Sequence, residues 1–353
     1  MERGSKDIMA LSLPLASGVA SGALLPSSSF MPALSASLLG AALLGGLVRR
    51  PGNYYYYIVL YFLLGLFLGT GAASFPAEVH AGGIFAGTRE WLCRRIEGLG
   101  FGNPLSAPLV EALSLGERGS LSREVTAVFR GSGTSHILAM SGLHLGIFYL
   151  CLSRLLWPFG RSIAARRVKS VAIILLAGFY VLLAGASASL TRAFLFIFLR
   201  EWASMLGRRT GLVRTLFSAL MIQLILSPSE ILSPGFQMSY LALCGIAFLY
   251  PRLEALYPDE GGADPMRYIW KAACLTISCQ VLTAPIAWLH FGSVPLNFLL
   301  SNIVALPMAT LLTVLSMLVA LLVAVAGCCP QPLLQAVDFL SGALVSFLKL
   351  IAS

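Results

Sequence analysis

The polar side chains best suited to chemistry lie inside apolar stretches of this sequence. His136, Ser141 and His144 occur within the run HILAMSGLHLGIFYL. On a continuous helix, which turns by about 100° per residue, these three side chains share one broad face, while Gly142 and Gly146 lie on the opposite face. The spacing predicts a helix whose glycine face packs closely against a neighbour. Its polar face either lines a wet cavity or hydrogen-bonds to other helices.

Arg192 is the second feature, because it lies near the start of a short apolar stretch that Arg200 and Glu201 interrupt. Two interpretations stay open. Either Arg192 extends towards the membrane surface, or a short helix is held inside the protein and offers Arg192 to an anionic substrate. Further polar residues at membrane depth fit either broken helices that meet a cavity or hydrogen bonds that join helices. These residues are Ser189, Gln237, Ser239 and Asn302.

Other chemistries are disfavoured by the residues at hand. Ser141 and His144 are three positions apart and would meet on one helix, but a serine nucleophile also needs an orienting third group and an oxyanion site. The neighbouring apolar stretches offer no acidic residue, so an intramembrane hydrolase is not predicted. The four histidines form no HxxxH pair and predict no metal site. Without a GxxxxGK[ST] motif the chain is not expected to hydrolyse ATP itself, and no cofactor is predicted.

The composition shows what kind of element must position these side chains. Of 353 residues, 58% are hydrophobic and 11% are charged, whereas a soluble domain carries about 25% charged residues. We therefore predict an all-α, polytopic helical membrane protein with about ten or eleven spans, some of them broken or re-entrant. The stretch 295–327, which contains Pro307, is either one bent helix or two half-helices. The other spans are predicted near 8–25, 31–48, 55–74, 136–157, 168–186, 190–206, 211–227, 235–250, 268–290 and 333–350.

The charges divide the chain into three predicted parts. An N-terminal three-helix membrane segment covers 1–75, an extracytoplasmic amphipathic segment covers 76–135, and a channel-type bundle covers 136–353. The middle segment carries six Arg and six Glu and is neutral. The excess of Lys and Arg elsewhere lies in alternate loops, which predicts a cytoplasmic N-terminus. The net charge of +9 therefore reports topology more than an affinity for nucleic acid.

Four motifs in order resemble the ComEC/Rec2 family of competence proteins. The run ALSLGERGSLSREVTAVFRGSGTSHILAMSGLHLGI, residues 112–147, resembles the family signature around its Ser-Gly-Leu-His element. Ser189-Leu-Thr-Arg192-Ala193 and Ser233-Pro-Gly-Phe-Gln-Met-Ser239 resemble two later patterns. A fourth runs from Phe291-Gly292 through Asn302 to Pro307. The resemblance covers residues from about 100 to about 310.

The resemblance implies a channel in the bacterial inner membrane that admits single-stranded DNA during natural transformation. The implied partners are the DNA strand, membrane lipid, an extracytoplasmic DNA receptor, a cytosolic helicase or ATPase, and further copies of the chain. A polyanion needs a wet, polar or cationic path. The expected lining of that path is His136, Ser141, His144, Ser189, Arg192, Gln237, Ser239 and Asn302, with no catalytic residue.

The sequence departs from the family pattern in two places. Too few residues follow the third span to hold the OB-like domain that is typical of the family, and the sequence has too few histidines for the metal site of the metallo-β-lactamase domain that many members carry. We therefore expect a membrane core alone, either a natural short form or a shortened version, without nuclease activity. Two alternatives to DNA transport stay open. One is a transporter or channel for another anionic solute, and the other is a degenerate scaffold that transports nothing.

Overall fold

The computed structural model describes residues 3–25, 30–49, 54–71, 85–138, 140–159, 162–208, 210–257, 265–291 and 298–352. This part of the chain is built from α-helices joined by short turns, and it contains no strand. The helices are α1 Arg3–Leu24, α2 Phe30–Arg49, α3 Tyr54–Thr70, α4 Ala86–Glu97, α5 Ser106–Leu115, α6 Arg123–Gly131, α7 Ser135–Leu138, α8 Gly142–Leu155, α9 Ile163–Leu183, α10 Ala188–Met205, α11 Leu212–Leu226, α12 Pro234–Cys244, α13 Tyr250–Glu254, α14 Pro265–Phe291, α15 Phe298–Ala326 and α16 Gln331–Ala352.

The helices have the lengths and surfaces of a polytopic membrane protein, which confirms the predicted fold class. Four described segments are long and apolar enough to cross a bilayer by themselves: Lys6–Leu24, Met266–His290, Ile303–Ala326 and Gln331–Ile351. Large apolar side chains such as Leu175, Trp288 and Phe339 are exposed on helix surfaces, as expected where lipid replaces water. Other helices are shorter: α8 has 14 residues, about 21 Å at about 1.5 Å per residue.

The single helix predicted over 136–157 is wrong, because the chain breaks there. Helix α7 ends at Leu138 and α8 begins at Gly142. Ser141 has extended dihedral angles, φ −128° and ψ 173°, so the helical rotation that placed His136 and His144 on one face does not continue through it. The stretch 298–326, in contrast, is one helix that contains Pro307.

The described part of the amphipathic segment shares one apolar core with the two C-terminal helices. Ile96 of α4, Leu109 of α5 and Phe129 of α6 are buried together with Leu312 of α15 and Val345 of α16. Helix α5 is buried over most of its length, from Leu109 to Leu115. The boundary predicted at residue 135 therefore does not separate two independently packed cores.

Asp338 of α16 joins that segment to the bundle through three hydrogen bonds to its carboxylate. Oδ2 accepts from the backbone N–H of Gly102 at 2.8 Å, and Oδ1 accepts from the backbone N–H of Asn103 at 3.2 Å. The hydroxyl of Ser106 donates to Oδ1 at 2.6 Å. One carboxylate thus satisfies donors at and just before the start of α5, which would otherwise lack helical partners.

Glycines set the contact between α1 and α3. A Cβ atom built at Gly18 or Gly65 would collide with backbone atoms of the other helix, and Gly22 and Gly69 repeat the arrangement one turn further on. Without side chains at these positions the two backbones approach closely, as in small-residue contacts between membrane helices. The pairing that the sequence spacing suggests at Gly142 and Gly146 is not of this kind. A Cβ at Gly142 would lie 3.5 Å from Cβ of Ala193, and one at Gly146 would have no atom within 4 Å.

We predict that Gly65→Ala lowers the melting temperature of the detergent-solubilised protein. The added methyl must displace the backbone of α1, and such overpacking costs about 1–3 kcal/mol. Gly40→Ala is the matched control, since a Cβ at Gly40 meets nothing within 4 Å. Equal melting temperatures for the two variants would contradict the close contact between α1 and α3.

We also predict that Asp338→Asn loosens the amphipathic segment. The amide nitrogen cannot accept a hydrogen bond, so a donor near the start of α5 loses its partner at a cost of about 1–3 kcal/mol. Hydrogen exchange should accelerate at the backbone amides from Gly102 to Leu115. Glu124→Gln removes the exposed ion pair between Glu124 and Lys349, at 2.7 Å, and should leave that exchange unchanged. Unchanged exchange in Asp338→Asn would show that the segment is held by apolar packing alone.

Candidate functional site

Arg192 lies at the centre of a buried polar cluster where three helices and a turn meet. Its side chain is 5% exposed. Nη1 lies 3.7 Å from Oε2 of Glu230, and Nη2 donates to the backbone carbonyl of Gly235 at 3.0 Å. Nε is buried and has no hydrogen-bond partner among the described residues. Arg192 is therefore neutralised within the protein and does not extend to the membrane surface.

Gln223 and Tyr240 complete what we call the Arg192 cluster, which comprises Arg192, Gln223, Glu230, Gly235 and Tyr240. Gln223 of α11 donates from Nε2 to Oε2 of Glu230 at 2.6 Å. The hydroxyl of Tyr240 on α12 donates to Oε1 of Gln223 at 2.9 Å. A continuous polar chain thus runs from α10 through Glu230 to α11 and α12.

The local sequence explains why Glu230 reaches Arg192. Pro228 begins a 3₁₀ turn that covers Pro228–Leu232. Ser233 then caps α12, because its hydroxyl accepts from the backbone N–H of Phe236 at 3.2 Å. Gln237, predicted to line a substrate path, donates from Nε2 to the carbonyl of Ile231 at 2.9 Å. Its contact fixes the turn that carries Glu230.

The pKa of the Glu230 carboxyl is shifted by effects that act in opposite directions. Its partial burial raises its pKa, because desolvation disfavours the charged form, while Arg192 and the hydrogen bond from Gln223 act in the opposite direction. The net effect is a raised pKa. The pair consists of one cation and one anion, so the cluster presents little net charge to a ligand as long as both remain ionised.

Ser141 and His144 form the N-terminal cap of α8. The hydroxyl of Ser141 accepts from the backbone N–H of Leu143 at 3.3 Å. Nδ1 of His144 accepts from the backbone N–H of Ser141 at 3.3 Å and lies 3.2 Å from its hydroxyl oxygen. This reciprocal arrangement is a capping box with histidine in the usual place of Glu or Gln. The pair predicted to line a path therefore also fixes the start of a helix.

The two histidines of this region have different surroundings. His144 is 0% exposed, and its Nε2 is buried without a hydrogen-bond partner in the part of the chain that is described. His136, in contrast, is exposed on α7, on the other side of the helix break.

The remaining predicted lining residues are placed as follows. Ser189 on α10 and Ser239 on α12 are both half-buried, and each lies on a helix that contributes to the Arg192 cluster. Asn302 lies in the first turns of α15, but its side chain falls outside the described residues. The structure therefore places Ser189, Arg192, Gln237 and Ser239 on α10 and α12, two helices that contribute to the Arg192 cluster, and the two histidines on α7 and α8.

A second buried carboxylate was recognised in the sequence only as an interruption of a span. Glu201 of α10 is 7% exposed. Its Oε1 accepts from the hydroxyl of Tyr149 on α8, and its Oε2 accepts from the hydroxyl of Ser170 on α9, each at 2.7 Å. Hydroxyl groups from two other helices, α8 and α9, thus satisfy this carboxylate of α10.

Sequence reasoning also missed Glu230, Gln223 and Tyr240. The available signal was the lone carboxylate in the short loop after α11.

We predict that Ser141→Ala lowers the stability of the protein by about 1 kcal/mol, the usual cost of losing an N-cap side chain. The melting temperature of the solubilised protein measures this loss. Ser17→Ala is the control, because Ser17 is exposed within α1 and donates only to the carbonyl of Pro14. If both variants melt like the wild type, the hydroxyl of Ser141 does not hold α8.

Comparison with known proteins places these elements in a family. The family model described as "Competence protein" matches residues 113–353. An uncharacterised protein of Escherichia coli, YcaI, is 25% identical over 66% of this chain and 31% of its own length. ComE operon protein 3 of Bacillus subtilis is 26% identical over 56% of this chain and 24% of its own length.

Competence protein ComA of Neisseria gonorrhoeae is 30% identical over 56% of this chain and 28% of its own length. The chain thus spans less than a third of the length of these curated relatives. No solved structure matches it. The matched region covers more than half of the chain and includes the Arg192 cluster, both histidines and the C-terminal helices. The chain therefore belongs to the competence protein family, in which the ComEC/Rec2 proteins are found.

Proposed function

We propose that this protein takes part in DNA uptake during natural transformation and forms the membrane core through which single-stranded DNA reaches the cytosol. The observation that carries the proposal is the family match over residues 113–353. It contains three of the four sequence motifs in full and most of the first. Relatives named for competence support the same role.

The chemistry of the strand agrees with the polar residues inside the bundle. Each nucleotide adds a phosphate charge, so the strand cannot cross hydrocarbon and needs a path lined by polar or cationic groups. Arg192, with polar side chains of α10, α11 and α12 around it, supplies such groups at one place. The path would also include His136, Ser141, His144 and the start of α15, as the family resemblance implies.

The contacts support the proposed topology, with a cytoplasmic N-terminus in the inner membrane. The loops before α10 and after α11 are both assigned to the outer side, and Arg192 meets Glu230 where these loops end. The amphipathic segment is assigned to the same side. The hydroxyl of Tyr180, near the end of α9, donates to the carbonyl of Ser114 in that segment at 3.1 Å.

The proposed partners would carry out the steps of DNA uptake that this chain is not expected to perform itself. The strand would be delivered by an extracytoplasmic receptor and drawn inwards by a cytosolic helicase or ATPase. Copies of the chain would associate within the lipid bilayer. We propose no nuclease or other catalytic step for this chain, since its polar clusters are arranged as helix caps and charge pairs.

A transformation assay in the source organism tests the proposal. Deletion of the gene should reduce transformants to the level seen without added DNA, and expression of the wild-type chain should restore them. Arg192→Ala should fail to restore them, because it removes the cation and leaves the half-buried Glu230 without its counter-charge. Arg94→Ala should restore them, since the Arg94 side chain is 70% exposed. Unchanged uptake of labelled DNA after deletion would refute the proposal.

A further inference from the structure

The contact between Arg192 and Glu230 is incomplete. Nη1 of Arg192 lies 3.7 Å from the carboxylate, beyond the range of a good hydrogen bond. Nε is buried without a partner among the described residues. A guanidinium group can hold a carboxylate or a phosphate through two parallel hydrogen bonds. Glu230 therefore leaves part of the binding capacity of Arg192 unused.

The two partners also differ in their access to solvent. The side chain of Arg192 is 5% exposed and that of Glu230 is 20% exposed. Glu230 is therefore the more accessible of the two partners. The hydrogen bond from Gln223 to Oε2 of Glu230, at 2.6 Å, gives the carboxylate a second partner that does not depend on Arg192. Glu230 can thus move away from the guanidinium without losing every polar contact.

We propose that Arg192 is a phosphate-binding site that Glu230 occupies while no ligand is present. A phosphodiester group would displace the carboxylate and take the unused hydrogen bonds of the guanidinium. This inference rests on the proposed function for its ligand, because the charged group that a DNA strand offers is a phosphodiester. Free phosphate offers the same chemistry, and the experiment below separates the two sources.

A carboxylate that belongs to the chain and competes with the ligand for Arg192 suits a site that must release its ligand. A phosphate bound beside Glu230 would place two negative charges next to one cation. Their repulsion weakens the binding, so each phosphate could leave as the next one arrives. Channels for ions need binding that is favourable enough for a ligand to arrive and weak enough for it to depart. Competition from the Glu230 carboxylate would make the binding weak enough for the phosphate to depart.

The competing explanation is that the pair only clamps α10 to the turn that carries Glu230. The structure offers a matched control to separate the two. Glu201 of α10 is a buried carboxylate, but hydroxyl groups of Tyr149 and Ser170 hold it instead of an arginine. Glu201→Gln therefore removes a buried negative charge without releasing Arg192.

Binding of inorganic phosphate to the purified full chain in detergent, measured by calorimetric titration, tests the proposal. Glu230→Gln should bind phosphate at least about tenfold more tightly than the wild type, a change of about 1.4 kcal/mol. Glu230→Asp keeps the competing charge and should bind as weakly as the wild type, as should Glu201→Gln. The double variant Glu230→Gln with Arg192→Gln should lose the gain.

Several results would overturn the proposal. The first is equal phosphate affinity in Glu230→Gln and the wild type, with both proteins folded as judged by their melting curves. The second is an equal gain in Glu201→Gln, which would indicate a general effect of charge. The third is a gain in phosphate affinity that persists in the double variant, which lacks Arg192. If Glu230→Gln does not fold, Glu230→Ala with Gln223→Leu removes the carboxylate and its donor together, and the same affinity comparison applies.

A second titration identifies the source of the ligand. It compares a short oligothymidylate with orthophosphate, at equal concentrations of phosphate groups, for binding to Glu230→Gln. If the oligothymidylate binds more tightly, the site belongs to the DNA strand. Tighter binding of orthophosphate keeps the anion site and assigns it to free phosphate. The transformation assay remains independent of both titrations. Unchanged transformation after gene deletion, with the gain in phosphate affinity intact, would refute DNA uptake and retain the site.

Discussion

The free-energy cost of burying a charge away from water governs the arrangement of this protein. An unpaired ion in hydrocarbon is so costly that membrane proteins pair such groups or keep them near water. Here the buried carboxylate of Glu201 and the half-buried carboxylates of Asp338 and Glu230 are held by donors from other parts of the chain. Asp338 binds the start of α5, Glu201 joins α8 to α9, and Glu230 connects α10 with α11. The polar residues thus determine which helices must be neighbours.

The same constraint explains where the backbone is irregular. Free N–H and C=O groups are tolerated at membrane depth only when another group satisfies them. The break between α7 and α8 is closed by the capping box of Ser141 and His144. A π-helical turn covers Gly245–Leu249, and there the missing side chain of Gly245 lets the backbone approach the carbonyl of Ser278. Irregular backbone therefore occurs beside specific polar or glycine residues.

The sequence was sufficient to predict the membrane class, most helix positions and the family. Each depends on local signals, such as apolar runs of suitable length and motifs in a fixed order. It could not give the partner of Arg192, because Glu230 lies 38 positions away and only the folded bundle brings the pair together. The packing of the amphipathic segment was missed for the same reason, since Asp338 meets Asn103 across 235 positions.

The error at span four has a different physical origin. Apolar composition predicts burial, but it does not show whether the backbone stays helical through a serine. Serine competes for backbone hydrogen bonds and favours the first position before a helix. In the sequence Ser141-Gly-Leu-His144 the serine begins a new helix, and the histidine completes the cap.

This arrangement gives Ser-Gly-Leu-His a structural reason for its residue types. Serine and histidine satisfy the first N–H groups of α8, and Gly142 between them lies beside Ala193 of α10, where an added Cβ would make an ordinary contact at 3.5 Å. Because Ala193 follows Arg192 directly, the cap of α8 and the Arg192 cluster share one helix as their support. A change at the cap can therefore alter the position of the cation without touching it. The two motifs thus meet near the N-terminal end of α10.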